Sequence, residues 1–184
     1  MNTWTLRSLL AVALGASAGC DAIFGVELGS GPPDAPLLCP PMYTSSPSGT
    51  YWIGTDRTGW LDAQQTCAGH ATMATQPTHL AVLDDAAALS DVAGMLAGQA
   101  FWIGYTDLTT EGEFRWVTDQ DLAFPQLGSP VWAFGQPDDF DGVEDCVAVD
   151  GENTRQLYDA ACASKLAFVC ECDPYPSVEA NFGL

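Results

Sequence analysis

The chain has 184 residues, of which 47% are hydrophobic and 10% aromatic, so it can form one ordinary domain with a hydrophobic core. Its 24 acidic residues against 5 basic ones give a formal net charge of -19. Proteins that bind nucleic acid or anionic lipid through charge need a basic face, so this composition excludes both kinds of partner.

Residues 1–19 are typical of an export signal. Arg7 precedes an apolar run from Leu9 to Leu14, and small residues follow up to Cys20. A membrane-spanning helix needs about 20 apolar residues, and the run is shorter, so it predicts a cleaved signal peptide. The pattern resembles the signal of bacterial lipoproteins, in which the cysteine is lipidated. We therefore expect the protein at the bacterial cell envelope, lipid-anchored at the outer membrane or cell surface. The alternative is ordinary secretion after cleavage near Ala18.

The composition then changes along the chain. Residues 20–38 are rich in Pro and Gly and predict a spacer that carries the lipid anchor. A folded domain is predicted from Cys39 to Cys172, and a flexible tail over residues 173–184. The chain has 7 cysteines, an odd number for an exported protein. Lipid on Cys20 would leave six, which favours disulfides in an oxidising compartment.

Apolar periodicity predicts two helices early in the domain. The first carries Trp60, Ala63 and Cys67 on one face and ends near Gly69. The second begins at two acidic residues that complement a helix dipole and continues with an apolar stripe: Asp84 and Asp85, then Leu89, Val92, Met95 and Leu96. Strands are predicted around residues 100–105, 114–117, 146–150 and 167–172.

A long acidic stretch lies between Val117 and Cys146, rich in Pro, Gly and Asp and without clear periodicity. Loops of this length inside a compact domain are usually functional. Thirteen of the 24 acids fall between Asp107 and Asp159, whereas no lysine or arginine occurs between Arg115 and Arg155. Because neighbouring carboxylates repel, the pattern favours a bound hard cation. Calcium, which takes about six to eight oxygen ligands in irregular geometry, is favoured over magnesium. The alternative is a solvated acidic loop.

Seven short segments stand in a characteristic order: Trp60-Leu61-Asp62-Ala63 leading to Cys67, His79-Leu80-Ala81-Val82, Trp102-Ile103-Gly104, residues 111–116, Gln136-Pro137-Asp138, Glu144-Asp145-Cys146 and Phe168-Val169-Cys170-Glu171. Their order and spacing resemble those of the C-type lectin-like domain, from Cys39 to Cys172. The resemblance implies an α+β fold in which two helices flank small antiparallel sheets, with a long calcium-binding loop. It also implies disulfides that pair Cys67 with Cys170, Cys146 with Cys162 and Cys39 with Cys172.

The resemblance further implies two calcium sites. The principal, sugar-binding site would use Gln136, Asp138, Glu144 and Asp159, with a cis peptide before Pro137. The auxiliary site would use Asp107, Glu111, Asp139 and Asp145, with the Glu144 carbonyl nearby. At the principal site this chain departs from its relatives, because Tyr158 stands where they carry an asparagine ligand.

The order of amide, proline and carboxylate in residues 136–138 goes with galactose and N-acetylgalactosamine among similar proteins. Phe140 stands where galactose-type relatives carry an aromatic that packs on the sugar, although a loop-core role is the alternative. We therefore expect a calcium-dependent carbohydrate-binding module, with Gln136, Asp138, Glu144 and Phe140 as the sugar contacts. The alternative is the same fold binding a protein partner or serving structurally. No enzymatic activity is expected, because carboxylates that hold calcium are unavailable for proton transfer.

Overall fold

A computed structural model of the chain describes residues 38–96, 98–151 and 154–183. The signal segment, Cys20 and nearly all of the spacer lie outside the described residues, so the predictions for them stay predictions. Within the described part of the chain, no helix has the length and apolar character needed to cross a membrane.

The described residues form eight strands and two α-helices, in the order β1 (Thr44–Ser45), β2 (Thr50–Thr58), α1 (Trp60–Ala68), β3 (Thr78–Leu80), α2 (Ala86–Met95), β4 (Phe101–Thr106), β5 (Arg115–Trp116), β6 (Cys146–Val149), β7 (Leu157–Ala160) and β8 (Leu166–Cys172). Short 3-10 helices cover Phe140–Gly142 and Glu179–Asn181. Both predicted helices and all four predicted strands are present. Strands β1, β2, β3 and β7 were not predicted.

The strands form one sheet with the order β1-β2-β8-β4-β6-β7, to which β3 adds alongside β8 and β5 alongside β4. All pairs are antiparallel except β4 with β8, which run parallel. The α+β fold with two helices is therefore confirmed. The sheet is a single mixed one where small antiparallel sheets were expected, because β8 enters the sheet in the direction of β4.

The two helices bury the faces that their apolar spacing predicts. In α1 the side chains of Trp60, Ala63 and Cys67 are fully buried, and the Trp60 indole donates to the carbonyl of Ile103 at 2.7 Å. Helix α2 begins after Asp85, whose carboxylate accepts the first free backbone N–H groups of the helix at 2.7 and 2.8 Å. This N-cap satisfies donors that have no partner within the helix.

Gly104 shows why the Trp-Ile-Gly segment of β4 ends in glycine. A side chain there would lie 2.6 Å from the carbonyl oxygen of Leu80 and 2.7 Å from the side chain of Val117. The close approach lets Gly104 donate to Ala81 and accept from Val117, both at 2.8 Å. The glycine therefore joins the segment after β3 to the one after β5.

Three disulfides close the fold. Cys67–Cys170 ties α1 to β8, Cys146–Cys162 ties β6 to the turn after β7, and Cys39–Cys172 joins the two ends of the domain. These are the three pairings that the resemblance implies.

The segment after β8 was expected to be a flexible tail, and the structure contradicts this for its described part. The Asn181 amide donates to the carbonyls of Trp116 and Thr118 at 3.1 and 2.9 Å. The Phe182 ring is buried, and its centroid lies 5.9 Å from that of Trp60. The segment packs because it buries an aromatic ring and satisfies backbone carbonyls next to β5.

Candidate cation-binding site

The long loop between β5 and β6 is anchored to β7. Leu157 donates to the carbonyl of Val131 at 2.7 Å, and Ala133 donates to that of Leu157 at 2.8 Å. Between them, the Trp132 ring is buried among other aromatic side chains. The anchoring brings the acidic part of the loop next to Asp159, which lies two residues further along the same strand.

Asp159 organises the acidic part of the loop. Its carboxylate is only 2% exposed and accepts the backbone N–H of Asp138 at 3.2 Å and that of Asp139 at 2.8 Å. Its own backbone N–H donates to the side-chain oxygen of Gln136 at 3.1 Å. One buried residue therefore positions three of the residues that were predicted as cation ligands.

The four residues predicted for the principal site come together. Asp138, Glu144 and Asp159 offer carboxylate oxygens that all lie within 4.8 Å of one another. The Gln136 amide donates to the Asp138 carboxylate at 2.7 Å, and the peptide between Gln136 and Pro137 is cis. This arrangement offers several oxygen atoms to one small region, as a hard cation requires.

Glu144 is held within the loop and feels the charge of its neighbours. Its backbone N–H donates to Asp139 at 3.1 Å, and its carboxylate accepts the N–H of Phe140 at 3.3 Å. Partial burial raises the pKa of Glu144, and the charges of Asp159 and Asp138 raise it further. The protonated form of Glu144 is therefore favoured mainly by burial, and the negative charges of its neighbours act in the same direction.

Asp107, at the end of β4, has an unpaired oxygen inside the protein. The residue is 2% exposed; one carboxylate oxygen accepts the N–H of Gly112 at 2.9 Å, whereas the other is buried and accepts no hydrogen bond from the described residues. Burial raises the pKa of Asp107 to about 6, with a further contribution from the charges of Glu111 and Asp145. A buried carboxylate oxygen without a donor is costly, and a cation beside it would remove the cost.

Glu111 lies close enough to the acidic loop to feel the charges of its carboxylates. It is exposed, and its pKa is raised by partial loss of hydration and by the charges of Asp139, Asp145 and Asp159. The predicted auxiliary residues are therefore neighbours. Within residues 38–183, apart from the gaps in the description, only the principal group is gathered within 4.8 Å, so the auxiliary set is the looser one.

The described residues offer these acids no basic partner. The ion pairs in the described part of the chain join His79 to Asp173, Arg115 to Glu113 and Lys165 to Asp62, and none involves a predicted ligand. The principal site offers carboxylate oxygens and one amide oxygen, and the auxiliary site offers carboxylate oxygens of which one is buried and unpaired. Both sets of ligands fit a divalent hard cation such as calcium.

Tyr158 lies beside Asp159 on β7, opposite Ala148 of β6. Burial raises its pKa, with contributions from the charges of Asp150 and Glu144. The Tyr158 side chain is thus near the carboxylate of Glu144, but it offers a phenol in place of an amide oxygen.

Two aromatic rings near the site are exposed. Phe140 is 64% exposed, so the alternative of a loop-core role is wrong. Phe134, which the sequence did not single out, is fully exposed. The signal that could have found it is an aromatic residue directly before the polar segment of residues 135–137.

The family model for the lectin C-type domain matches residues 56–172. The chain therefore belongs to the C-type lectin domain family. Perlucin of Haliotis laevigata is 27% identical over 151 residues, which cover 78% of this chain and 90% of perlucin. Hepatic lectin of Gallus gallus is 29% identical over 121 residues, which cover 66% of this chain and 53% of that lectin.

Solved structures of C-type lectin domains share this fold. The C-type lectin CEL-I from Cucumaria echinata has a TM-score of 0.63 at 23% identity and covers 73% of this chain and 97% of its own. The cow CD23 carbohydrate-recognition domain, solved in the presence of an oligosaccharide, has a TM-score of 0.59 at 26% identity, covering 73% and 95%. Membership of a lectin family agrees with the expectation that the protein is not an enzyme. These relatives come from animals, so the bacterial setting stays a prediction.

Proposed function

We propose that the domain is a calcium-dependent carbohydrate-binding module. The observation that carries the proposal is the convergence of Asp138, Glu144 and Asp159 within 4.8 Å, with Gln136 bonded to Asp138. These residues would hold calcium at the principal site, and Asp107 with its acidic neighbours would hold it at the auxiliary site. Bound calcium would offer coordination positions to sugar hydroxyls. Similarity to lectins supports carbohydrate as the class of ligand.

The donors and acceptors around the site support a galactose-type ligand. Gln136 carries an amide, which can donate, whereas the Asp138 carboxylate only accepts. In this order the two side chains present a different pattern to sugar hydroxyls than a carboxylate followed by an amide. The exposed Phe140 ring offers a surface for the apolar face of the sugar.

Retention on immobilised galactose tests the proposal. The domain should be retained in millimolar calcium and released by a chelator. The matched control is the double variant Gln136→Glu with Asp138→Asn, which reverses the order of amide and carboxylate. It should lose retention on galactose and gain retention on mannose. A folded wild-type domain that passes through the galactose column in calcium would overturn the galactose-type ligand, and failure to bind any sugar of a glycan panel would overturn the carbohydrate proposal.

Calcium binding is tested separately by thermal melting. A cation that binds only the folded state adds RT ln(1 + [L]/Kd) to its stability, about 2.7 kcal/mol at a hundredfold excess over Kd. Calcium should therefore raise the melting temperature of the wild type. Glu144→Gln and Asp107→Asn should each weaken this effect. An unchanged melting temperature of the wild type would contradict every ligand assignment in the loop.

A second candidate function is the same fold binding a protein partner, or serving structurally with calcium stabilising the loop. Tyr158 favours it, because the usual amide ligand is missing beside Asp159. The herring type II antifreeze protein shares the fold at 19% identity with a TM-score of 0.57. A calcium-dependent rise in melting temperature without binding to any sugar of a glycan panel would favour this second function.

The proposal includes display at the bacterial cell envelope through lipid on Cys20. Its support is the apolar run from Leu9 to Leu14, the small residues before the cysteine, and the spacer after it. Cys20→Ala should move the protein from the membrane fraction to the soluble fraction of cells that express it. An unchanged distribution would contradict the lipid anchor.

A further inference from the structure

Phe134 stands at the tip of a tight turn that ends at a predicted cation ligand. The backbone N–H of Gln136 donates to the carbonyl of Ala133 at 3.0 Å and closes the turn. Gly135 has a φ of 89°, a left-handed conformation that glycine adopts without strain at this position of a turn. The turn therefore ties an exposed ring directly to Gln136.

The turn rests on a firm base. Ala133 donates to the carbonyl of Leu157 on β7 at 2.8 Å, and the preceding Trp132 ring is buried. The Phe134 side chain itself is fully exposed and is not part of the hydrophobic core. A fully exposed phenylalanine leaves a large apolar surface in water, although it is held in place by an anchored backbone.

A second exposed ring lies on the other side of the ligand tripeptide in the chain. Phe140 is 64% exposed, and its N–H donates to the Glu144 carboxylate at 3.3 Å. The segment that supplies the principal site is thus preceded by one exposed aromatic ring and followed by another. Phe140 would pack on the sugar held at the cation, whereas none of the described residues covers the Phe134 ring.

We propose that Phe134 is an aromatic platform for the second sugar unit of a glycan, so that the domain prefers oligosaccharides to a single sugar. The role of Phe134 depends on the proposed function, because the first unit must be held at the principal site. Sugars carry apolar C–H faces that pack on aromatic rings. The other occupants fit less well: the net charge of -19 repels anionic lipid, and a stable protein interface buries about 800 Å² on each partner.

The test compares one sugar with several in calcium. Binding of methyl β-galactoside and of a panel of galactose-terminated di- and trisaccharides is measured by calorimetry for the wild type, Phe134→Ala and Leu127→Ala. Leu127 is the matched control, because it is an exposed apolar residue elsewhere in the same loop. The wild type should bind at least one oligosaccharide about fivefold tighter than methyl β-galactoside. Phe134→Ala should abolish this preference and leave the affinity for methyl β-galactoside unchanged, whereas Leu127→Ala should keep both.

The possible failures are distinguishable. If the wild type binds none of these sugars in calcium, the proposed function is overturned, and the role of Phe134 with it. If methyl β-galactoside binds and the preference for oligosaccharides is absent or survives Phe134→Ala, the role of Phe134 alone is overturned. Calcium-dependent binding of the wild type to phosphatidylserine vesicles that is lost in Phe134→Ala would also overturn it, in favour of a lipid surface.

Discussion

At the scale of single residues, the acidic loop takes its shape from hydrogen bonds to Asp159. Both oxygens of this buried carboxylate accept backbone N–H groups of the loop, from Asp138 and Asp139. Hydrogen bonds to a charged acceptor each contribute about 1.5–3 kcal/mol. The loop is therefore shaped by the same carboxylate that would help to hold the cation.

Asp159→Asn removes the charge and one of the two acceptors. We expect the free energy of unfolding without calcium to fall by roughly 1–3 kcal/mol, and stabilisation by calcium to be largely lost. Urea denaturation with and without calcium measures both effects. Asp141→Asn is the matched control, since Asp141 is exposed in the same loop with a φ of 61° that asparagine tolerates. If both variants behave alike, Asp159 has no special role.

Tyr158→Asn restores the amide that relatives carry next to Asp159. One added oxygen ligand that contributes about 1.4 kcal/mol should lower the calcium concentration at half-saturation about tenfold. Calcium titration of the melting temperature measures this change. Tyr158→Phe, which adds no ligand, serves as the control. A Tyr158→Asn variant that binds calcium no better than Tyr158→Phe would place the cation away from this position.

At the scale of elements, the C-terminal segment acts as part of the domain. The Phe182 ring packs against Trp60 of α1, and Asn181 bonds to the carbonyls of Trp116 and Thr118. The segment thus connects α1 with the strand that leads into the long loop. Removal of this C-terminal segment should therefore destabilise the packing of both α1 and that strand.

Phe182→Ala removes the buried ring of this segment. We expect the free energy of unfolding to fall by about 3 kcal/mol, as for other buried phenylalanines. Phe134→Ala removes the same side chain from a fully exposed position and should change stability by less than about 0.5 kcal/mol. Chemical denaturation measures both variants. Equal stability of the two would show that the C-terminal segment is not packed in solution.

Comparison with the sequence shows which elements could be predicted. Both helices could, because Trp60, Ala63 and Cys67 repeat with the helical period and Asp85 marks a helix start. Strand β3 could not, because three residues are too few for a period, and it forms by pairing with β8. In the loop, the candidate ligands followed from the family resemblance. The role of Asp159 did not, because its hydrogen-bond partners lie about 20 residues away and only the fold brings them together.

At the scale of the whole molecule, buried titratable groups couple stability to pH. Both ring nitrogens of His79 face acceptors, the carbonyl of Leu80 at 2.8 Å and the carboxylate of Asp173 at 3.0 Å. Burial alone would lower the pKa of His79, but the hydrogen bond and charge of Asp173 raise it above its usual value. Burial raises the pKa of Glu171, the cross-strand neighbour of His79, to about 7, although the charge of His79 opposes the rise.

Both groups bind protons more tightly in the folded state than in the unfolded state. The stability they contribute is therefore fully present at low pH and is lost as the pH rises, for Glu171 between about 4.5 and about 7. We expect the free energy of unfolding of the calcium-free domain to fall by on the order of 2 kcal/mol through this window because of Glu171.

Urea denaturation at a series of pH values checks this expectation. Glu171→Gln keeps an acceptor for the N–H of Val82 but cannot ionise, so its stability should depend less on pH than that of the wild type. Glu113→Gln, at an exposed position, should leave the pH dependence unchanged. Asp107 and Glu144 also have raised pKa values and remain in both variants, so the slopes can be compared. Equal slopes for Glu171→Gln and the wild type would contradict the assignment.

The last strand of the sheet also governs when the domain can fold. Strand β8 (Leu166–Cys172) pairs with β2, β3 and β4, so three earlier strands have their partner at the end of the domain. A chain that emerges from the ribosome with its N-terminus first therefore cannot assemble the middle of this sheet until β8 has been synthesised. Such long-range pairing makes folding slow. If the chain is exported, as residues 1–19 predict, late closure of the sheet would let it cross the membrane before the domain folds and its disulfides form.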